Sequence, residues 1–241
     1  MTDVTRRALL QTTVAFGSLA GLGSFAVAQR NDGSTQYRFF SADEAAFIEA
    51  AVDRLIPPEP EWLGAREAGV PNYIDLQLAG PYGQGDRMFL GGPIKPGTPQ
   101  QGYQLGLTPA DLYRRALTAI LGQTSAQGRS FGDGSAQAQD EFLARLEAGE
   151  LDLNGVPSAV FFETLLANTI EGYFADPAYG GNKDMVGWRM VGFPGAYAAY
   201  LGLYTQHGIK FDREPLSMAD AQRLNGHHGP VPSGESTRRL R

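Results

Sequence analysis

Asp176-Pro177-Ala178-Tyr179-Gly180-Gly181-Asn182-Lys183-Asp184-Met185-Val186-Gly187-Trp188-Arg189-Met190-Val191-Gly192-Phe193-Pro194-Gly195 is the stretch around which the chain is organised. Pro177 fixes its own φ and pushes Asp176 out of the helical region, so any preceding helix stops there. Gly180-Gly181 accepts positive φ without steric cost. Tyr179, Trp188 and Phe193 supply more apolar surface than a solvated linker carries. Two readings follow: a rigid corner packed on a core, or a contact surface for a partner or ligand. A short helix fits residues 184–191.

The segment before it, Pro157 to Phe174, reads as the most apolar helix of the chain. Val160, Phe161, Phe162, Leu165, Leu166, Ile170, Tyr173 and Phe174 cover more than one face, which predicts a central helix. Glu163 and Glu171 interrupt it. Glu163 reads as solvated. Glu171 abuts the corner and is expected to accept hydrogen bonds from the corner's backbone amides, because a buried carboxylate needs partners.

Toward the N-terminus the signals are helical. Ser41-Ala42-Asp43-Glu44 is a capping box, and the helix it opens carries Ala45, Ile48, Val52 and Leu55-Ile56 up to the stop at Pro57-Pro58. Pro71 sits where a first helical residue would, ahead of Tyr73, Ile74 and Leu78. Thr108-Pro109-Ala110-Asp111 starts another helix with a cap, an early proline and an acid. Ser135 to Ala148 is the next, with Phe142, Leu143 and Leu146 inward and Gly149 at its end. Between them, Gly80 to Gly106 holds eight glycines and four prolines and has no helical period. A loop of that length inside a compact domain is functional or mobile. Tyr82, Phe89, Leu90, Ile94 and Tyr103 recur through it, as in a loop that drapes over a surface. No alternating strand pattern stands out. Past Gly208 the chain reads as extended and polar.

Composition narrows the function. An apolar share of 42% with 19% charged residues suits a globular chain rather than a disordered one. A net charge of -6 argues against nucleic acid, whose phosphates require clustered Lys and Arg. With no cysteine there is no disulfide, thiolate metal site or C-x-x-C-H haem attachment, and three histidines, His207, His227 and His228, leave few imidazole bases.

The first residues read as an export signal. Arg6-Arg7 is a twin-arginine pair, no charge follows until Arg30, and Ala26-Val27-Ala28 is a small-x-small cleavage pattern. The competing reading, a membrane anchor, needs about 20 predominantly apolar residues. This run is diluted by Gln11, Thr12, Thr13, Ser18, Ser24 and three glycines. The twin-arginine route carries folded proteins. A chain with no cofactor motif of its own then points to a folded partner.

Glu171-Gly172-Tyr173-Phe174-Ala175-Asp176-Pro177-Ala178-Tyr179-Gly180-Gly181-Asn182, continuing through Gly187-Trp188 to Gly192-Phe193-Pro194-Gly195, resembles the gluconate 2-dehydrogenase subunit 3 family. Asp53 to Pro57, Gly64-Ala65 and Ala68 to Pro71 are similar to the family's first half. The resemblance covers about residues 39 to 205. It implies an accessory subunit that contributes the export signal and helps a large subunit mature. That large subunit carries FAD and oxidises a sugar or sugar acid. A multihaem cytochrome c subunit passes electrons to quinone and holds the complex at the outer face of the inner membrane, on the periplasmic side.

The expected organisation is therefore a signal peptide over 1–28, a linker over 29–38, one irregular, mostly α domain over 39–208 with a Gly/Pro-rich loop at 80–107, and an extended tail over 209–241. No catalytic, cofactor-binding or metal-binding residue is expected in this chain. Glu171, Asp176, Pro177, Tyr179, Gly180, Gly181, Asn182, Gly187, Trp188, Arg189, Phe193, Pro194 and Gly195 are the expected partner-facing or structural motif. Exposed Tyr179, Trp188 and Arg189, with the 80–106 loop, are the expected contacts, since Trp, Tyr and Arg dominate interface energetics. The alternative is a stand-alone exported enzyme or binding protein with a pocket in the Asp176–Gly195 region. The glycines there lack the spacing and preceding strand of a nucleotide fingerprint, and the acids lack calcium-loop spacing.

Overall fold

The computed structural model describes residues 36–95, 97–98, 104–126, 128, 130–197, 202–203, 205–208 and 213–226. The expected signal peptide, with Arg6, Arg7, Ala26 and Ala28, lies outside the described residues, as do Tyr103 and His227-His228. All elements below belong to one compact unit that begins at Tyr37.

Helix α1 (Ala42–Leu55) forms where the capping box predicts. The Ser41 side chain accepts the Glu44 N–H, and the Glu44 carboxylate accepts the Ser41 N–H at 2.8 Å. Its buried face is Ala45, Phe47, Ile48, Ala51 and Val52. Helix α2 (Val70–Leu78) begins at Gly69 with φ of 82°. Helix α3 (Pro109–Ala126) is capped by Thr108, whose hydroxyl accepts the Asp111 N–H at 3.1 Å. Helix α4 (Ala136–Glu147) is capped by Ser135.

A two-residue hairpin, β1 (Asp152–Leu153) and β2 (Val156–Pro157), then pairs antiparallel with Leu153 opposite Val156. The sequence reading found no strand. The signal was Asn154-Gly155, whose φ values of 54° and 86° make the tight hairpin turn that this dipeptide favours.

Helix α5 (Ser158–Phe174) follows directly and is central, as its apolar pattern predicts: it packs against α1, α2, α3 and α4. Two aromatic clusters fill the space around it. Phe47, Phe131 and Phe142 meet at centroid distances of 4.8 to 6.3 Å. Tyr113 meets Phe161 edge-to-face at 5.4 Å. The carboxylate of Asp75, buried on α2, accepts the backbone N–H groups of Arg38, Phe39 and Phe40 at 2.7 to 2.9 Å, which pins the incoming chain to the core. An unpaired buried carboxylate would be costly, and three amides offset that cost.

After α5 come two 3-10 turns, Pro177–Tyr179 and Lys183–Met185, and a short helix α6 (Val186–Val191). The segment expected as an extended tail is not wholly extended. Leu216 pairs with Gly195, and helix α7 (Met218–Gly226) follows. Its cap was legible: Ser217 accepts the Asp220 N–H at 3.1 Å. Among the described residues no helix is long and apolar enough to cross a membrane.

Candidate functional site

The corner between α5 and α6 is built on Asn182, which is fully buried with φ of 45°. Its Nδ2 donates to the Ala175 carbonyl at 2.8 Å and its Oδ1 accepts the Gly187 N–H at 2.9 Å. One amide thus ties the end of α5 to the start of α6. The surrounding backbone is strained. Asn182, Asp184 and Met185 all have positive φ, three of the five non-glycine cases among the described residues. Each such residue costs on the order of 1 kcal/mol or more and persists only when its surroundings fix it. Here they do. The Lys183 N–H donates to the Ala68 carbonyl at 2.9 Å, and Asn72 Nδ2 donates to the Gly180 carbonyl at 2.9 Å, so the turn before α2 and α2 itself both grip the corner.

The glycines allow that grip. A Cβ on Gly181 would lie 2.2 Å from the Gly172 carbonyl oxygen, and one on Gly187 would lie 2.3 Å from that of Tyr173. Both separations are far inside contact distance, so the close approach of corner to helix requires glycine on the corner side.

Asp176 clamps two segments. One carboxylate oxygen accepts the Ala178 N–H at 2.9 Å and the other the Met218 N–H at 2.7 Å, so the Pro177 turn and α7 share one anion. Both oxygens are engaged by backbone, which leaves Asp176 poorly suited to be the acid or base of a pocket. Pro194, buried, accepts the Leu216 N–H, and the backbone there leaves Gly195 no room for a side chain. Arg189 pairs with Glu214 at 2.8 Å and donates to the Asp184 carbonyl.

Two expectations for this region are corrected. Trp188 is not an exposed contact residue: it is 6% exposed, and its Nε1 donates to the Phe174 carbonyl at 2.7 Å. It is a core anchor, because the helix carbonyl it caps lies inside the corner. Glu171 does not receive the corner's amides, a task Asn182 performs from within the turn. Glu171 points to the other side of α5, where its carboxylate accepts from Asn168 Nδ2 at 3.1 Å.

Exposed apolar surface is concentrated around the corner. Ile170 and Phe174 share a face of α5, four residues apart. A Cβ on Gly187 would lie 2.9 Å from Phe174 Cδ1, so α6 runs past that ring, and Val191 at the end of α6 is 60% exposed. Phe193, 47% exposed, stacks edge-on against Trp188 at 5.1 Å. Tyr179 and Met190 are also exposed. In the 80–106 loop Phe89 is fully exposed and Ile94 about half exposed.

Farther toward the start of α5, on a face that Ala167 shares with Ile170 and Phe174 at helical spacing, lies a cleft of about 620 Å³ bounded by α3, α5 and the 80–106 loop. Sequence reasoning missed it. The signal was a polar stripe, Thr164, Asn168 and Glu171, spaced at helical intervals through the most apolar helix. Asn168 is 3% exposed. Its Oδ1 accepts from Tyr113 Oη at 2.9 Å, while its Nδ2 reaches Tyr82 Oη at 3.2 Å as well as Glu171. Burial pushes the phenols of Tyr113 and Tyr82 above their ordinary value of 10.0, and the nearby charge of Glu171 adds to the shift in both. Among the described residues no group of three or more His, Asp or Glu is placed to hold a metal ion.

The family model for gluconate 2-dehydrogenase subunit 3 matches residues 42–195, more than half of the chain. No curated protein and no solved structure matches it. The match opens on the first residue of α1 and closes on Gly195, so the five helices of the core and the whole corner that they grip lie within it. By that match the chain belongs to the gluconate 2-dehydrogenase subunit 3 family, whose members are subunits of a dehydrogenase complex.

Proposed function

We propose that this chain is a non-catalytic small subunit of a periplasmic, FAD-dependent sugar or sugar-acid dehydrogenase, exported by the twin-arginine route and supporting maturation and assembly of the flavoprotein. The observation that carries this reading is the apolar surface of Ile170, Phe174, Val191 and Phe193, mounted on a strained, tightly held corner. Exposed large apolar side chains grouped around one corner are the kind of surface that marks an interaction face. Rigid mounting reduces the ordering cost of docking, which raises affinity. The large subunit sits on this face. A multihaem cytochrome c subunit completes the complex and takes the electrons, and FAD and haem c belong to those partners rather than to this chain.

The test is co-purification of tagged protein from its native host, with an absorption spectrum for flavin and haem. The expected result is a large flavin-bearing partner retained by the wild-type chain and lost from a Val191→Asp/Phe193→Asp variant of unchanged melting temperature. A purified, monomeric preparation that oxidised gluconate by itself would refute the non-catalytic reading. A variant that kept its partner would move the interface elsewhere. Mass spectrometry of the mature N-terminus tests the leader, with a start at Gln29 expected and an intact leader counting for an anchor.

A further inference from the structure

We infer that segment 213–226, a strap made of residues 213–217 and α7, is a removable cover of the corner. It opens as a unit while the core stays folded, and its opening adds Trp188 and Pro194 to the exposed apolar surface beside Phe193. The strap lies beyond residue 195, where the family match ends. It crosses the corner from Gly195 to the Pro177 turn. The Leu216 N–H donates to the Pro194 carbonyl at 3.1 Å, the Ala196 N–H to the Leu216 carbonyl at 2.8 Å, and the Met218 N–H to the Asp176 carboxylate at 2.7 Å.

What lies beneath the strap is apolar. A Cβ on Gly195 would sit 2.2 Å from the Leu216 carbonyl oxygen and 2.8 Å from Trp188 Cζ3, so strap and indole meet across that glycine. Trp188 and Pro194 are buried with the strap in place. Phe193, itself exposed, stacks edge-on against Trp188. Lifting the strap therefore enlarges one apolar surface rather than creating a second, and a larger apolar surface gives more area to remove from water on docking.

What holds the strap is polar and close to solvent. Among the described residues of the segment Ser217 alone is buried. The ion pair of Glu214 with Arg189 is exposed on both sides, so it contributes little. The Tyr197 hydroxyl adds one bond to the Glu214 carbonyl at 3.2 Å. Ser217 and Asp220 bond each other, side chain to side chain and side chain to backbone, so the first turn of α7 is closed within the strap. A segment with so little buried apolar contact opens at a lower free energy than the whole fold. The Gly187 N–H, held by the buried Asn182 side chain, belongs to the core side of the boundary. That a partner docks on the enlarged surface rests on the assembly reading above; the opening itself does not.

The test is hydrogen exchange on the full chain, wild type against Met218→Pro. Proline suits the first helical position and lacks only the N–H that Asp176 accepts, so the variant cuts one tie and leaves α7 and the core intact. In the wild type the Leu216 and Ala196 amides should exchange at least about tenfold faster than Gly187, and in Met218→Pro about tenfold faster again, with the Gly187 rate and the melting temperature unchanged. Glu214→Lys, which turns the exposed pair with Arg189 into a repulsion, should move the same two amides in the same direction by less. Exchange of Leu216, Ala196 and Gly187 at one rate would overturn the proposal, since the strap would then be core. For docking, the complex of Met218→Pro should withstand about tenfold greater dilution before a flavin-bearing partner separates, because more of the chain is open. An unchanged limit would overturn the cover's role in docking, and earlier separation would make the strap part of the interface. A wild-type chain that holds no such partner would overturn the assembly reading instead, and the exchange rates would still decide whether the strap opens.

Discussion

Two stretches of this chain are rich in glycine and aromatic residues, 80–106 and 176–195, and they use those residues in opposite ways. In the corner, glycine is required by contact: Gly181, Gly187 and Gly195 each face a backbone carbonyl that a Cβ would meet at 2.2 to 2.3 Å. Among the described glycines of the loop that demand is confined to the first turn, where a Cβ on Gly83 would meet the Leu78 carbonyl at 1.9 Å. Gly91 has nothing within 4 Å. The aromatics divide likewise, with Trp188 buried and bonded and Phe89 fully exposed. Composition alone does not separate a glycine that permits close packing from one that merely loosens a chain. What surrounds the missing Cβ does.

The largest effect expected follows from the aromatics. Trp188→Ala removes a buried indole together with its hydrogen bond to Phe174 and should cost about 4 kcal/mol of stability. Phe89→Ala should leave urea unfolding unchanged. Equal costs would erase the contrast, and loss of partner binding without loss of stability in Trp188→Ala would restore the surface role first expected for it.

Next are the glycines. Gly181→Ala drives a methyl into the Gly172 carbonyl, which cannot swing aside as a side-chain tip would, and should cost about 3 kcal/mol. Gly91→Ala should fall within about 0.5 kcal/mol of wild type. A Gly181→Ala protein with an unchanged denaturation midpoint would mean that corner and helix do not touch as described.

Asn182→Ala ranks third, at about 2 kcal/mol, because it orphans the buried Gly187 N–H and removes a residue tolerant of positive φ. Asn182→Asp keeps the acceptor for Gly187 but sets a buried carboxylate oxygen against the Ala175 carbonyl. It should therefore be at least as destabilising as alanine in thermal unfolding, and an aspartate variant close to wild type would mean that the site is open to water.

These residues also show why part of the molecule was legible and part was not. Helix starts are local: Ser41 with Glu44, Thr108 with Pro109, and Ser135 with Gly149 each act within a turn or one helix, and each reads off the sequence. Asn154-Gly155 and Ser217-Asp220 are equally local, and were passed over only because the segments around them looked structureless. Asp75 and Asn168 act at a distance, on partners up to 86 residues away, and no spacing rule announces which amides or phenols a folded chain will bring to them; Asn182 reaches only five and seven residues along the chain, but through a turn that no standard motif describes. Trp188 was misplaced for the same reason. Its burial depends on how closely Gly187 lets α6 approach α5, a tertiary fact.

The smallest effect tests how the loop's first turn is held. Tyr82 joins it to α5 through Asn168, in a network that also holds buried Tyr113. Both phenols titrate above 10.0 in the folded protein because burial disfavours the phenolate. The unfolded chain therefore loses these protons first, and their contribution to stability is complete below pH 10 and falls as pH rises toward the folded-state values. Tyr73, pushed up to about 12 by burial and by Glu171, acts in the same direction. Urea midpoints should be flat with respect to these groups up to about pH 10 and decline above it. Tyr82→Phe should cost about 1 kcal/mol at neutral pH and make the alkaline decline shallower. The ties that hold Gly187 and Trp188 in the corner are amide, carbonyl and indole groups, so hydrogen exchange at the Gly187 amide should follow global unfolding alone. Amides of the first loop turn should open earlier as pH rises. If the two regions lost protection together, the phenol network would belong to the same cooperative unit as the corner, and the contrast between the stretches would be one of packing without any difference in local stability.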